Sequence, residues 1–339
     1  MMKSSLKDIA KEAGVSITTV SFVINNKAKE QRISDAIVAK IEKVIKKRNF
    51  IPNAFAHGLR TGKSYSIGLI VENIGNYFFS NVAKTIEMAA QANNYSVFFS
   101  STNNDDEKAK ELLSKLMNQQ VDGLIITPTK GIKEQLKQIK KAKIPFLLFD
   151  RFLADLETNY VVVDNFKGAY ELTNHLFKKG YTNIGFVTIE NGMNQMEERL
   201  NGYKAALADH KIKYKQQNIL AYHHSFTNNN REFELEKLGH FLQKNKKMDA
   251  LFFATNYLGL LGIEYAAKLG LQIPEDLAMV CFDDNEAFKL QRNPITVIAQ
   301  PIELLAQTSI DVLLDLINEP SKTKVQKKIA PILIERNSA

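Results

Sequence analysis

The chain has 339 residues, of which 45% are hydrophobic and 24% charged, a balance that suits two or three globular domains and excludes wholesale disorder. No apolar run approaches the roughly 18 residues that span a bilayer, and the start, Met1-Met2-Lys3-Ser4-Ser5, has no apolar signal core, so a cytoplasmic protein is expected and no membrane partner. A single cysteine, Cys281, rules out an internal disulfide and a cysteine-cluster metal site.

The formal charge of +8 is confined to one end. Residues 1–63 hold thirteen Lys and Arg against five Asp and Glu, which leaves 32 of each sign in residues 64–339. A basic module on a neutral body points to a polyanion, most often nucleic acid. Within that module Leu6, Ile9, Ala10 and Ala13 recur at helical spacing, and Gly14 interrupts them. Ser16 is placed to cap a second short helix whose inward face is Val20, Val23 and Ile24. Two short helices joined through one glycine describe a helix-turn-helix. A third helix, capped by Ser34, turns Ile37, Val38, Ile41, Val44 and Ile45 inward and leaves Lys40, Lys43, Lys46, Lys47 and Arg48 outside. The second helix directs Ile17, Thr18, Ser21 and Phe22 outward. Exposed Ile and Phe are costly without a partner, and thymine methyl groups are one such partner. Residues 1–48 therefore read as a DNA-binding domain.

Pro52 forces Ile51 to be extended and can open a helix. Residues 53–59 are about two turns long, marginal for a free helix, and Gly58 weakens them further. Residues 49–63 are expected to form a hinge and linker.

From residue 64 onward, short apolar runs alternate with amphipathic stretches. Strands are predicted at 67–71, 96–99, 123–127, 146–149, 161–163, 184–188, 251–254 and 278–282, with helices at 82–91, 108–117, 168–177, 198–208 and 258–269. Such alternation implies doubly wound parallel sheets, here in two lobes of about 64–160 with 291–320 and about 161–290 with 321–339. The fold class is thus α/β, with an all-α helix-turn-helix domain ahead of it. Polar groups gather at the carboxyl ends of predicted strands: Asp150-Arg151, Asp164-Asn165, Asn256 and Asp283-Asp284. Ligands bind beyond such ends in open α/β sheets, and this chemistry suits a polyhydroxylated small molecule. Asp164 and Asn165 also fit helix N-caps.

No phosphate-binding glycine loop, nucleophile elbow or zinc-protease motif is present. Ser4-Ser5-Leu6-Lys7 matches S-x-x-K by chance. His223-His224 lacks a carboxylate cluster and reads as a surface loop, and Cys281 reads as a buried strand residue. Neither an enzyme nor a metal or cofactor is expected.

The segments Leu6-Lys7-Asp8-Ile9-Ala10-Lys11-Glu12-Ala13-Gly14-Val15-Ser16, Thr19-Val20-Ser21, Ile24-Asn25 and Ile51–Lys63 closely resemble the lactose-repressor/galactose-repressor family of bacterial transcriptional regulators. A looser resemblance runs on through Asp122–Ile126, Asp150-Arg151, Glu198–Tyr203, Phe282–Asp284, Pro294–Thr296 and Gln300-Pro301 to the family's periplasmic-binding-protein-like core. It implies a repressor that binds a pseudo-palindromic double-stranded operator under allosteric control by an effector, most often carbohydrate. Ser16–Asn25 would enter the major groove, with Ile17, Thr18 and Phe22 on bases and Ser16, Thr19, Ser21 and Asn25 on or near phosphates. Asn53, Ala56 and Leu59 would belong to a hinge helix that folds on DNA, with Leu59 wedged into the minor groove. Phe78, Phe79, Asp150, Arg199, Asn256 and Asp283 would contact the effector. Two departures stand out: Phe22 replaces a frequent Arg or His, and Tyr257 replaces the usual Asp. No heptad extension follows Arg336, so a homodimer is expected rather than a tetramer. The competing class is a solute-binding protein of a transport system.

Overall fold

A computed structural model describes residues 5–25, 27–48, 50, 63–190, 192–223, 231–319 and 324–339. The chain falls into two compact units, Met1–Ser64 and Tyr65–Ala339.

The first unit packs three helices, α1 (Leu6–Ala13), α2 (Ile17–Ile24) and α3 (Asp35–Lys47). Ser5 and Asp8 form a capping box at the start of α1: the Asp8 amide donates to Ser5 Oγ, and the Ser5 amide to Asp8 Oδ2 at 2.8 Å. Gly14 ends α1 at φ +63°, a left-handed conformation that an L side chain would strain. Ile9, Ala10, Ala13, Val20, Val23, Ile41 and Val44 form the core, with Ile37, Val38 and Ile45 packed at its margin. Ser34 occupies the N-cap position of α3 as expected, but its side chain makes no capping bond. A different contact ties the ends together: Glu12 on α1 accepts from Lys47 at 2.8 Å and from Arg48.

The second unit contains two six-stranded sheets. In chain order its elements are β1 (Ser66–Val71), α4 (Tyr77–Ala92), β2 (Ser96–Ser101), α5 (Asp106–Asn118), β3 (Gly123–Ile126), α6 (Lys133–Lys141), β4 (Phe146–Phe149), β5 (Tyr160–Val163), α7 (Asn165–Lys178), β6 (Ile184–Glu190), α8 (Asn194–Asp209), β7 (Ile219–His223), α9 (Arg231–Lys244), β8 (Ala250–Phe253), α10 (Asn256–Leu269), β9 (Ala278–Phe282), α11 (Glu286–Lys289), β10 (Thr296–Ala299), α12 (Ile302–Asn318), β11 (Gln326–Ile329) and β12 (Ile332–Ile334). The first sheet runs β11-β5-β4-β3-β1-β2, all parallel, and the second β12-β10-β9-β8-β6-β7, parallel except for the β10–β12 pair. The central strands are buried on both faces, as parallel sheets covered by helices require.

The sheets divide the chain differently from the lobe limits expected above. Tyr160–Val163 and Gln326–Ile329 belong to the first sheet, while Thr296–Ala299 pairs with β9 in the second. The chain therefore passes between lobes three times in short segments, after Val163, after Ala299 and after Ile329. Each sheet reverses its winding between its first two parallel neighbours, β1/β3 and β6/β8, which opens a crevice at the carboxyl ends of both. Helices α7 and α8 pack unusually close. A Cβ on Gly202 would lie 2.2 Å from the Phe166 carbonyl oxygen, so only glycine fits there.

Candidate functional site

In the second unit a cleft of about 410 Å³ opens where the carboxyl ends of the two sheets face each other. Phe78, Phe79, Asp150, Arg199, Asn256 and Asp283, the residues singled out from the sequence, all line it, together with Glu72, Asn76, Gln195, Met196, Thr255 and Tyr257.

Local structure explains the convergence. Asn76 caps α4, its side chain accepting from the Phe78 amide at 2.9 Å, and this starts the helix so that Phe78 and Phe79 sit on its buried face. Their rings meet edge-on at 5.0 Å, and Phe78 stacks on Phe149 at 6.4 Å. Asp150 and Asp283 each follow the last residue of a strand, and both adopt left-handed backbone, φ +68° and +73°. That conformation is uncommon for a residue other than Gly, Asn or Asp, and it recurs where a scaffold holds a functional side chain.

Arg199 is 2% exposed, which sets aside a surface ion-pair role. Its Nε donates to Asn165 Oδ1 at 2.8 Å, its Nη1 to the Ala254 carbonyl at 2.5 Å and to Asp283 Oδ2 at 3.4 Å, and its guanidinium lies 3.7 Å above the Phe282 ring. Asp283 also accepts from Gln300 Nε2 at 2.7 Å. Asn165 is thus not a helix cap. That role falls to Asp164, which accepts from the Lys167 amide at 2.9 Å. Both anchors of the Arg199–Asp283 pair, Asn165 and Gln300, lie where the chain crosses between lobes.

On the first lobe, fully buried Arg151 forms an ion pair through Nη2 with Glu72 Oε2 at 3.0 Å and donates from Nη2 to Asn104 Oδ1 at 2.5 Å, while its Nε approaches Asp150 at 3.9 Å. Among the described residues Asp150 makes no comparable hydrogen bond. Burial pushes its carboxyl up to about 6, against the pull of Arg151 and Arg199 and with the aid of the Glu72 and Asp283 charges. Burial likewise raises the Tyr257 phenol and the Cys281 thiol, which sits in the sheet beneath the Thr255 carbonyl as the sequence suggested. Asp284 turns away from the cleft to form a two-pronged pair with Arg336 at 2.9 and 2.6 Å. Glu72 was missed in the sequence although it follows a predicted strand as Asp150 does. Gln195 carried no signal there.

In the first unit, Ser16 caps α2 by accepting from the Thr19 amide at 3.0 Å, and the two hydroxyls lie 2.8 Å apart. Asn25 Nδ2 donates to the Ser21 carbonyl at 2.6 Å and meets its hydroxyl at 3.3 Å. Ile17 and Thr18 are exposed, but Ser21 and Phe22 are half-buried rather than free. Asn53, Ala56 and Leu59 lie outside the described residues. His223 ends strand β7 rather than lying in a loop, and His224 is outside the described residues too. Among the described residues no acidic, His or Cys cluster could hold a metal ion, and no helix is long and apolar enough to cross a membrane.

A basic helix-turn-helix unit on the same chain as a two-lobed α/β body with a polar cleft defines a ligand-controlled DNA-binding regulator. Residues 5–53 match the bacterial regulatory proteins of the lacI family and residues 173–339 a periplasmic binding protein-like domain. The HTH-type transcriptional regulator RegA of Clostridium saccharobutylicum is 30% identical over 338 residues, 99% of each chain, and the ribose operon repressor of Escherichia coli is 29% identical over 99% of this chain and 100% of its own. The chain belongs to the lacI family: it is a transcriptional regulator, and its relatives are regulators rather than enzymes. Among solved structures, the Lac repressor bound to ONPG shares the fold at a TM-score of 0.85 and 24% identity over all of both chains. A LacI-family regulator from Enterococcus faecium with bound ribose is 26% identical over 80% of this chain and 98% of its own, with a TM-score of 0.70.

Proposed function

We propose that the chain is a cytoplasmic repressor that binds a pseudo-palindromic operator as a homodimer, under the control of a sugar or sugar derivative held between the lobes by Phe78, Phe79, Asp150, Arg199, Asn256 and Asp283. The observation that carries the effector half is the convergence of these six residues on one cleft, with aromatic faces beside a buried carboxylate that has no hydrogen-bond donor among the described residues. Sugar rings offer apolar faces and hydroxyl donors, the complement of that lining. The ribose repressor among the relatives and the ribose-bound neighbour support the same class.

On DNA, Ile17, Thr18 and Phe22 face base edges, while Ser16, Thr19, Ser21 and Asn25 serve the backbone of the groove. Phe22 offers only apolar contact, so the half-site differs from one read by Arg at that position. The hinge, 49–63, carries Asn53, Ala56 and Leu59 to the minor groove of the central step, a reading that rests on sequence alone. Effector binding pulls on Asp283 and Arg199. Through Gln300 and Asn165 that pull reaches two of the three interlobe crossings and biases the lobe orientation.

Selection of binding sites from a random duplex pool by the full-length protein, with and without millimolar D-ribose or another monosaccharide, tests the proposal. The expected outcome is an enriched palindrome whose recovery changes with one of the sugars. Recovery of an asymmetric site would overturn the dimeric reading, and indifference to every sugar and sugar derivative the effector reading.

A further inference from the structure

The charged groups around the cleft are unevenly committed. Glu72, Asp150 and Asp283 bring three carboxylates to it, against one lining cation, Arg199. Through Nε and Nη1 that cation is engaged with Asn165, the Ala254 carbonyl and the charge of Asp283. Arg151 stands behind the wall, fully buried, with Nη2 given to Glu72 and Asn104. Its Nε and Nη1 have no hydrogen-bond partner among the described residues. Asp283 is paired with Arg199 and accepts from Gln300, whereas among the described residues Asp150 and the second oxygen of Glu72 accept no hydrogen bond. Acceptors need donors. A hydroxyl donates, whereas a carboxylate or phosphate ester offers acceptors only and adds a like charge.

We infer that the cleft takes an uncharged polyol and rejects its carboxylated or phosphorylated counterparts, and that Glu72 is a specificity-determining residue for that choice. The inference rests on reading the cleft as a sugar site and names the class of sugar. Glu72 acts twice. Its own charge faces the ligand, and its grip on Arg151 masks a guanidinium that would otherwise answer an anion. Replacing it with glutamine removes the negative charge and leaves Arg151 less fully neutralised, so both effects favour anions. Asp150, on the same lobe, lies farther from Arg151, 3.9 Å from its Nε against 3.0 Å for the Glu72 pair, and masks it less.

The test is calorimetry on the full-length protein with matched pairs: D-ribose and D-ribose 5-phosphate, D-glucose and D-glucose 6-phosphate, D-glucose and D-glucuronate. The expected result is one neutral sugar that binds at least about tenfold more tightly than its anionic partners, with Glu72→Gln narrowing that ratio by about tenfold or more, well inside the roughly thousandfold ceiling that one unit charge at contact range sets in a protein of effective dielectric about 20. An anion that binds as tightly as its neutral partner overturns the inference. So does an unchanged ratio in a Glu72→Gln protein with native circular dichroism. If that variant does not fold, the wild-type ratio is followed from about 0.05 to about 0.5 M salt, where screening should shrink it. A flat ratio refutes the electrostatic basis. Should no sugar of either kind bind while operator selection succeeds, the sugar reading itself fails and takes the inference with it.

Discussion

Asp150→Asn is expected to make the protein more stable and worse at binding its effector. The carboxyl is buried and titrates near 6 rather than at its ordinary 3.8. Between those values the native state holds a proton that the unfolded chain has released, so stability falls as pH rises from about 4 to about 6 and stays lower above it. A shift of about two pH units corresponds to about 3 kcal/mol, the ceiling on what the ionised group costs the fold at neutral pH. Asparagine keeps the shape, tolerates the left-handed backbone at φ +68° and carries no charge to bury. The chain has no tryptophan, so urea unfolding is best followed by circular dichroism. At pH 7.5 the variant should unfold at clearly higher urea than the wild type, and at pH 4 the two midpoints should nearly coincide. Effector affinity should fall in the variant at pH 7.5, and in the wild type as pH drops through 6, because a hydroxyl donates more strongly to a carboxylate than to a carboxylic acid. A variant less stable at pH 7.5, or equally stabilised at both pH values, refutes the argument that this side chain is held at the expense of the fold.

Gln300→Ala deletes the 2.7 Å donor to Asp283 at an interlobe crossing, and should shrink the ratio of operator affinities with and without effector, measured by fluorescence anisotropy; an unchanged ratio would remove Gln300 from the coupling. Tyr77 donates to Glu286 Oε1 at 2.9 Å from the opposite lobe, so Tyr77→Phe should speed effector release a few-fold in stopped flow, the scale of one partly exposed hydrogen bond. Operator affinity should fall with salt at a log–log slope near −5, as about six phosphate contacts by the basic first unit require. A slope near zero would mean that this unit binds something other than DNA.

Most strands legible in the sequence are buried ones, because a doubly covered parallel strand writes itself as a continuous apolar run, as in Phe146–Phe149 and Ala278–Phe282, although the exposed Ser96–Ser101 was also legible and the buried Thr296–Ala299 was not. Gln326–Ile329 went unread because it is an edge strand with mostly exposed polar residues, and Ile332–Ile334 because three residues carry no period. Without those two and the equally unread Thr296–Ala299, the lobe boundaries drifted to the wrong side of β10 and β11. Helix starts were read late because the signal for the opening turn lies in caps such as Asn76, Asp105 and Asp164 rather than in the apolar period. The cleft was legible through strand-end chemistry and family resemblance, except where a side chain comes from the middle of a polar helix turn, as Gln195 does. Arg151 was seen but could not be placed. Nothing in a sequence separates an arginine that faces a ligand from one that stands behind the residue that does.

The placement of the two buried arginines bears on how one cleft can both select and signal. Arg151 is confined to the first lobe, with Glu72, Asn104 and Asp150 as its neighbours, so it shapes what may enter without sensing lobe movement. Arg199 belongs to the second lobe, but its partner Asn165 follows the crossing after Val163, and its partner Asp283 is tied to Gln300 in the crossing after Ala299. A ligand that draws on Asp283 or Arg199 therefore loads residues whose backbone must rotate when the lobes turn. Substitutions around Arg151 should change which ligands bind, and substitutions around Arg199 should change what binding does to the operator. The two sets are close in space yet separable, because only one of them reaches a crossing.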